Sequence, residues 1–358
     1  MTNPDICVIG GGPAGLEAAI VARELGAQVL IIDDNPVLGG QLIKQTHKFF
    51  GSKEHYCGVR GINIARILTQ KVSELKIETI NPATVIGYYD DDSIGVLQQD
   101  RLFAIKAKRY IFATGATENM LAFENSDLPG VYGAGAVQTL MNVYGVIPGK
   151  RALVVGSGNI GLIVSYQLLQ AGVEVAGIVE ILDKVGGYYV HAAKIKRAGV
   201  PIYLRHTIVE ARGKEAVESA LITQVDDNFK PIKGTEKIIE CDIILIAIGL
   251  SPLCDLLYQA GCRIQYIPEL GGNVPVHNED MMTSRPHIFV CGDLASIEEA
   301  STAMLEGRIA GANAFQAIFG KNDKAKAIIE EAKSELATIR NSPFEQRIIK
   351  GKTKFKQG

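Results

Sequence analysis

Residues 6–33 read ICVIGGGPAGLEAAIVARELGAQVLIID. Ile6-Cys7-Val8-Ile9 is a short continuous apolar run, the pattern of a strand covered on both faces of a parallel sheet. It opens directly into Gly10-Gly11-Gly12-Pro13-Ala14-Gly15. The next residues recur at helical spacing (Leu16, Ala19, Ile20, Leu25), with Arg23 and Glu24 turned outward and Gly26 as a stop. Residues 28–32 then form a second buried strand that ends at Asp33. In this order each glycine has a task. Gly10 permits a tight turn, Gly12 lets the backbone approach a pyrophosphate, and Gly15 lets helix and strand pack closely. The helix start supplies N–H groups and partial positive charge to phosphates. Asp33 lies 18 residues beyond Gly15, where a carboxylate can accept from ribose hydroxyls. Strand, glycines, helix, strand and acid together predict a βαβ dinucleotide cradle.

The pattern recurs. Residues 151–155 (RALVV) lead into Gly156-Ser157-Gly158-Asn159-Ile160-Gly161 and a helical stretch, LIVSYQLLQAG. Residues 173–179 return as a strand to Glu180, 19 residues past Gly161. Two cradles imply two dinucleotides. A carboxylate at Glu180 pairs with a free 2′-hydroxyl and repels a 2′-phosphate, and no Arg follows in ILDKVGG. NAD is therefore expected over NADP at the second cradle, with ADP or ATP as the other nucleotides such a site would take.

Further glycines stand at strand ends. Leu38-Gly39-Gly40-Gln41-Leu42 follows the first acid, and Gly40 and Gln41 would let backbone run close to a bulky ligand. An alternating stretch, LFAIKAKRY, leads into residues 111–116 with Thr114-Gly115. Residues 243–249 close at Gly249, and residues 288–293 close at Cys291-Gly292-Asp293. A helix is expected from Ser296 through Ala300 and Ser301, with Gly307 and Gly311 along it.

Composition narrows the classes. The chain has 358 residues, 37 Lys and Arg against 39 Asp and Glu, and a formal net charge of −2. That balance gives no electrostatic footprint for nucleic acid. No apolar run reaches about 18 residues, so no membrane span is expected. Glycine, at 38 residues, exceeds the usual share of about 7% by roughly half. The cysteines at 7, 57, 241, 254, 262 and 291 form no C-x-x-C pair, and each is expected to be a buried thiol. With no signal-peptide pattern at the N-terminus, they point to a reducing cytoplasm. His191, His206, His277 and His287 show no metal-type pairing, so no metal is expected. His47 and His55 read as solvated loop histidines, and Tyr188 and Tyr189 as core.

GGGPAG with Asp33, FATGA at 112–116, GSGNIG with Glu180, and CGD at 291–293 occur in the order found in two-dinucleotide-binding flavoproteins, and over residues 5–320 the chain resembles that superfamily. The resemblance implies an α/β fold of two Rossmann-like domains, glutathione-reductase-like, with a discontinuous FAD domain and an inserted NAD-type domain. It implies FAD at Gly10, Gly12, Pro13, Ala14, Gly15, Asp33, Gly40, Gln41, Thr114, Gly115, Gly292, Asp293, Ala300 and Ser301. It implies the second nucleotide at Gly156, Gly158, Asn159, Ile160, Gly161, Glu180 and Gly249. Residues 113–141 and 291–311 resemble the alpha-type subunits of heteromeric flavin dehydrogenases and oxidases: opine oxidase, hydrogen cyanide synthase, dye-linked L-proline dehydrogenase and sarcosine oxidase. Those relatives imply electron transfer with a beta-type flavoprotein. No cysteine follows Cys291, so any iron–sulfur centre is expected on a separate subunit. A free-standing NADH:acceptor oxidoreductase and a non-catalytic nucleotide-binding scaffold are the competing readings. No acid–base residue is singled out by spacing.

The organisation expected is a first FAD-domain segment at 1–118, a connecting segment at 119–147, the inserted nucleotide domain at 148–269, and a second FAD-domain segment at 270–325. A helical tail from 326 carries its apolar stripe on Ala327, Ile328, Ala332, Leu336 and Ile339, and a frayed basic end, KGKTKFKQG, closes the chain at 350–358.

Overall fold

The computed structural model describes residues 3–49, 55–342 and 346–357. By proximity the chain divides into two units, one of residues 1–43, 48–117 and 251–358, the other of residues 44–47 and 118–250.

The first unit is built on a five-stranded sheet in the order Ile288–Val290, Arg109–Phe112, Ile6–Ile9, Val29–Ile32, Glu78–Ile80. Every neighbouring pair is parallel. Ile6–Ile9 and Val29–Ile32 are buried at every residue, as expected for strands covered on both faces. The helices Pro13–Glu24, Gly61–Glu74 and Ala300–Phe319 pack together beside the sheet. An antiparallel meander, Thr84–Tyr88, Ser93–Gln98 and Arg101–Lys106, brings Tyr88 against Tyr110 and Phe112 at ring distances of 5.7 and 6.5 Å. Gly307 and Gly311 are required by packing. A Cβ there would sit 2.2 and 2.3 Å from the carbonyl oxygens of Ala14 and Ala18, so a share of the glycine excess serves a helix–helix contact.

The second unit repeats the plan with the parallel order Ile202–Leu204, Glu174–Glu180, Arg151–Val155, Ile243–Ile246, Val131–Gly133. The helices Ala134–Asn142, Asn159–Gln170 and Tyr189–Arg197 pack side by side. An antiparallel sheet of His206–Arg212, Ser219–Gln224 and Lys237–Glu240 completes it.

Several expectations change. Residues 119–147 are not a connector: they supply the edge strand Val131–Gly133 and the helix Ala134–Asn142 of the second unit. That unit ends at Leu250 rather than near 269. LFAIKAKRY is two strands broken at 107–108. The helix expected at Ser296 starts at Ala300, after Glu299 as N-cap. In the helix Asp323–Arg340 the buried stripe is Ala325, Ile329, Ala332 and Leu336, with Ile328 and Ile339 beside it, while Ala327 is exposed. The tail is not frayed through 357: Gln346–Thr353 is a helix and Lys354–Gln357 a 3₁₀ turn; residue 358 lies outside the described residues. Lys352 answers the buried carboxylates of Glu306 and Glu298, and Lys354 the half-buried Glu269, partners that a local reading cannot see.

Candidate functional site: two glycine cradles

At the end of Ile6–Ile9 the chain turns through Gly10, at φ +106°. A Cβ on Gly10 would lie 2.2 Å from the Ala113 carbonyl oxygen, and one on Gly15 would lie 1.9 Å from the Gly10 carbonyl oxygen. Both glycines are demanded by the backbone around them. Gly12 differs: its Cβ would meet only the Gly40 Cα, at 3.9 Å. The space above Gly12 is open, and the helix beginning at Pro13 has no side-chain cap. Uncapped N–H groups beneath an open glycine form an anion seat.

Asp33, 7% exposed, ends the second strand. One carboxylate oxygen accepts the Gly11 N–H, and the other accepts the Asn35 N–H at 2.8 Å and the Asn35 side-chain amide at 3.2 Å. The Gly39 N–H donates to the Gly11 carbonyl at 2.8 Å. A Cβ on Gly40 would fall 2.7 Å from the Gly12 Cα, so this loop lies directly on the cradle. Gln41 follows with its side chain exposed. The strand Arg109–Phe112 leads into Ala113, whose carbonyl abuts Gly10. Beyond it the Thr114 hydroxyl donates to the Leu253 carbonyl at 3.0 Å, and Gly115 turns at φ +71°.

Gly292, also at φ +71°, sits where a Cβ would be 2.8 Å from the Ala14 Cβ, against the first turn of the cradle helix. Burial, opposed by the Glu298 N–H and reinforced by the charges of Glu306, Glu299 and Glu298, pushes the neighbouring Asp293 carboxyl up to about 7. Ala300 and Ser301 form the first turn of the long helix that packs on the cradle helix.

The second cradle repeats this geometry. Gly156 turns at φ +106°, with its would-be Cβ 2.2 Å from the Ala247 carbonyl oxygen. A Cβ on Gly161 would lie 2.2 Å from the Gly156 carbonyl oxygen, whereas one on Gly158 would meet nothing within 4 Å. Asn159 and Ile160 open an uncapped helix, and Ile160 is 37% exposed. Glu180, 7% exposed, accepts the Ser157 N–H at 2.9 Å and the Ser157 hydroxyl at 2.6 Å on one oxygen, and the Leu182 N–H at 3.0 Å on the other. Gly249 turns at φ +120°, and its carbonyl accepts the Asn119 N–H at 3.0 Å.

Three residues at this cradle escaped sequence reasoning. The Ser157 hydroxyl accepts the Gly186 N–H at 3.0 Å, and the Ser157 carbonyl accepts the Gly187 N–H at 2.8 Å. The signal was present: Gly186-Gly187 stands six residues past Glu180, as Gly39-Gly40 stands six past Asp33. Tyr188 is half-buried beside His191, and Tyr189, expected in the core, is 83% exposed. His47 and His55 are half-buried rather than solvated. Burial, with the charges of His191 and Lys194, pushes His47 down to about 4, and His55 contacts Glu335 at 2.7 Å.

All six cysteines are free thiols, five of them buried and Cys57 exposed, against the expectation that it too is buried. Burial pushes Cys241 and Cys254 up to about 12 and Cys7 and Cys291 higher still, which keeps those thiols protonated and unreactive. Among the described residues no group of three or more His, Cys, Asp or Glu is placed to hold a metal, and no helix is long and apolar enough to cross a membrane.

A family model described as pyridine nucleotide-disulphide oxidoreductase matches residues 4–307, a span containing both cradles. The chain belongs to this family. It is a member without a redox-active cysteine pair. The alpha subunit of sarcosine oxidase from Corynebacterium sp. (strain P-1) is 27% identical over 334 residues, covering 88% of this chain and 33% of the relative. An opine oxidase subunit from Agrobacterium tumefaciens (strain Ach5) is 26% identical over 326 residues, covering 86% and 64%. The chain thus spans between a third and two-thirds of the length of these relatives. Among solved structures, L-proline dehydrogenase from P. horikoshii superposes with a TM-score of 0.72 at 26% identity, covering 92% of this chain and 58% of that one. The T. acidophilum thioredoxin reductase superposes at 0.73 with 21% identity, covering 88% and 99%, and shares the fold. The fold is α/β with tandem Rossmann-like units of the FAD/NAD(P) oxidoreductase type.

Proposed function

We propose that this chain is an FAD-dependent, electron-transferring subunit of a heteromeric amino-acid- or opine-type dehydrogenase. The observation that carries the reading is the doubled cradle. In both copies the first and third glycines are locked by backbone, and the middle one leaves open space for a Cβ over a helix start. The free thiols remove the disulfide chemistry such a fold otherwise supports.

The first cradle fits FAD. Gly12, Pro13 and Ala14 would face its pyrophosphate, Gly10 and Gly15 hold the turn, and Asp33 would take the ribose. Gly40, Gln41, Thr114, Gly115, Gly292, Asp293, Ala300 and Ser301 would line the rest. Bound FAD supplies hydride and electron acceptance. The protein's role is to bind, orient and screen it. With its carboxyl near 7, Asp293 can donate to or accept from a ligand hydroxyl at neutral pH.

At the second cradle Gly156, Gly158, Asn159, Ile160, Gly161, Glu180 and Gly249 would hold NAD(H) in preference to NADP(H). The buried Glu180 carboxylate stands where a 2′-phosphate would bring a second negative charge. The partners that complete the reading are a beta-type flavoprotein and a separate iron–sulfur subunit, in a cytoplasmic setting. The relatives' names support a multi-subunit oxidase, since both are named as subunits of oxidases.

Anaerobic NADH added to the purified protein is expected to bleach a flavin spectrum, and a second flavoprotein chain is expected to co-purify. Tightly held ADP or ATP identified by mass spectrometry, with no bleaching at millimolar NADH, overturns NAD at the second cradle. An active single-chain NADH oxidoreductase overturns the subunit reading.

A further inference from the structure

The carboxyl-terminal helix and the helix before it reach back to the turn at Gly292–Asp293. We propose that Arg340 and Lys352, acting on Glu298 and Glu306, form a charge clamp that positions this turn for flavin. The inference rests on the assignment of FAD to the first cradle.

Glu306 and Glu298 have side chains only 2% and 3% exposed. Arg340 donates to Glu298 at 2.9 and 2.7 Å and to Glu306 at 2.5 Å. Lys352 donates to the same Glu306 oxygen at 3.2 Å and lies 3.9 Å from Glu298. Two buried anions thus meet two cations, the condition under which buried charge is tolerated. Burial alone would raise the Glu306 carboxyl, but Lys352 and Arg340 more than offset it and hold it ionised.

The clamp acts on the turn by two routes. The other Glu306 oxygen accepts the Gly292 N–H at 3.0 Å. The Glu298 backbone N–H donates to the Asp293 carboxylate, while the Glu298 side chain takes Arg340 and the Ser296 hydroxyl. Gly292 is already in the left-handed region and wedged on Ala14, so its peptide orientation depends on what grips its N–H. A carboxylate grips an N–H more strongly than a neutral acceptor.

The tail is docked independently of these charges. Ile348 is 1% exposed in a cluster with Ile267, Leu270 and Val274. Gly351 comes so close to Leu270 that a Cβ would sit 2.6 Å from its side chain. Phe355 meets His277 edge-on at 4.9 Å, and Lys354 donates to Glu269 at 2.7 and 2.8 Å. Lys352 is therefore aimed by apolar packing, and its charge is free to serve Glu306.

The test compares Lys352→Met, Lys352→Gln and Lys352→Arg in the full chain. FAD is removed and retitrated by fluorescence, and Gly292 amide exchange is followed in the apoprotein. Lys352→Met is expected to weaken FAD roughly tenfold and to speed Gly292 exchange, while leaving the circular dichroism intact. Lys352→Gln should move both readouts in the same direction, which covers the case of a misfolded Met variant. Lys352→Arg should restore FAD affinity to within about twofold of wild type. Uncharged variants that bind FAD as wild type, with unchanged Gly292 exchange, overturn the clamp. A wild-type protein that takes up no FAD overturns the cofactor assignment instead, and Gly292 exchange then decides the clamp alone.

Discussion

The two cradles share a backbone and differ in the residue that follows the turn glycine, and so in how the acid is held. In the first, Gly11 follows the turn glycine, and a Cβ there would lie 2.5 Å from the Leu38 side chain and 3.1 Å from an Asp33 oxygen. In the second, the same place holds Ser157, fully buried, whose hydroxyl bridges Glu180 and the Gly186 N–H. One cradle fills the space under its Gly-Gly loop with a leucine from that loop. The other fills it with a hydroxyl from the cradle itself. The acid is tied to the turn either way: by one backbone N–H at Asp33, by backbone and hydroxyl at Glu180. A dinucleotide cradle therefore tolerates variation in how the acid is held, but not in the two glycines that touch backbone.

That contrast sets the largest expected effects. Gly15→Ala and Gly161→Ala each push a methyl into a backbone oxygen about 2 Å away, a clash that no rotamer relieves. Each should destabilise its unit by about 3 kcal/mol or more, read by denaturant unfolding, and neither variant should keep its ligand. Gly12→Ala and Gly158→Ala separate fold from function. Both residues have negative φ and open space, so stability should stay within about 0.5 kcal/mol. Ligand affinity should nonetheless fall, by roughly a hundredfold, because the methyl would occupy the place proposed for a phosphate. Equal affinity in Gly12→Ala and wild type would remove FAD from the first cradle.

What was legible in sequence is what neighbouring residues dictate. Ile6–Ile9, Arg151–Val155, both glycine sets and both acids are where the apolar runs and spacings put them, because strand, turn and helix there are consecutive. What was illegible depends on distant partners. Residues 119–147 read as a connecting segment because the strand Val131–Gly133 has three residues and, among the described residues, pairs with Ile244–Ile246, more than a hundred positions away. The basic end reads as frayed because Glu269, Glu298 and Glu306, which meet Lys354 and Lys352, carry no mark of that pairing in the sequence. Spacing alone puts Ala327 in the stripe, whereas Ala325 and Ile329 are the buried positions of that turn.

A smaller effect sharpens the comparison of the two acids. Ser157→Ala removes the hydroxyl shared by Glu180 and Gly186, leaving the Gly186 N–H without its acceptor. A loss of about 1 kcal/mol is expected, with NADH binding weakened while FAD retention is untouched. Glu180→Gln should leave the turn bonded through the amide oxygen but shrink the preference for NADH over NADPH by roughly tenfold. An unchanged preference removes Glu180 as its source.

A pH dependence belongs to the first unit, through Asp293 beside the first cradle's helix. Its carboxyl is raised from 3.8 to about 7 in the folded apoprotein. Below about pH 4 the group is protonated in both folded and unfolded states and contributes no slope. Between about pH 4 and 7 the unfolded chain releases this proton while the folded chain keeps it, so stability falls as pH rises through that window. Above it both states are ionised and the penalty is constant. Asp293→Asn cannot titrate. Its melting temperature relative to wild type should therefore climb from pH 4 to 7 and level off beyond. A difference that stays flat across that range would show that Asp293 ionises as freely in the folded protein as in water, and would leave the Gly292–Asp293 turn without a neutral donor for a flavin hydroxyl.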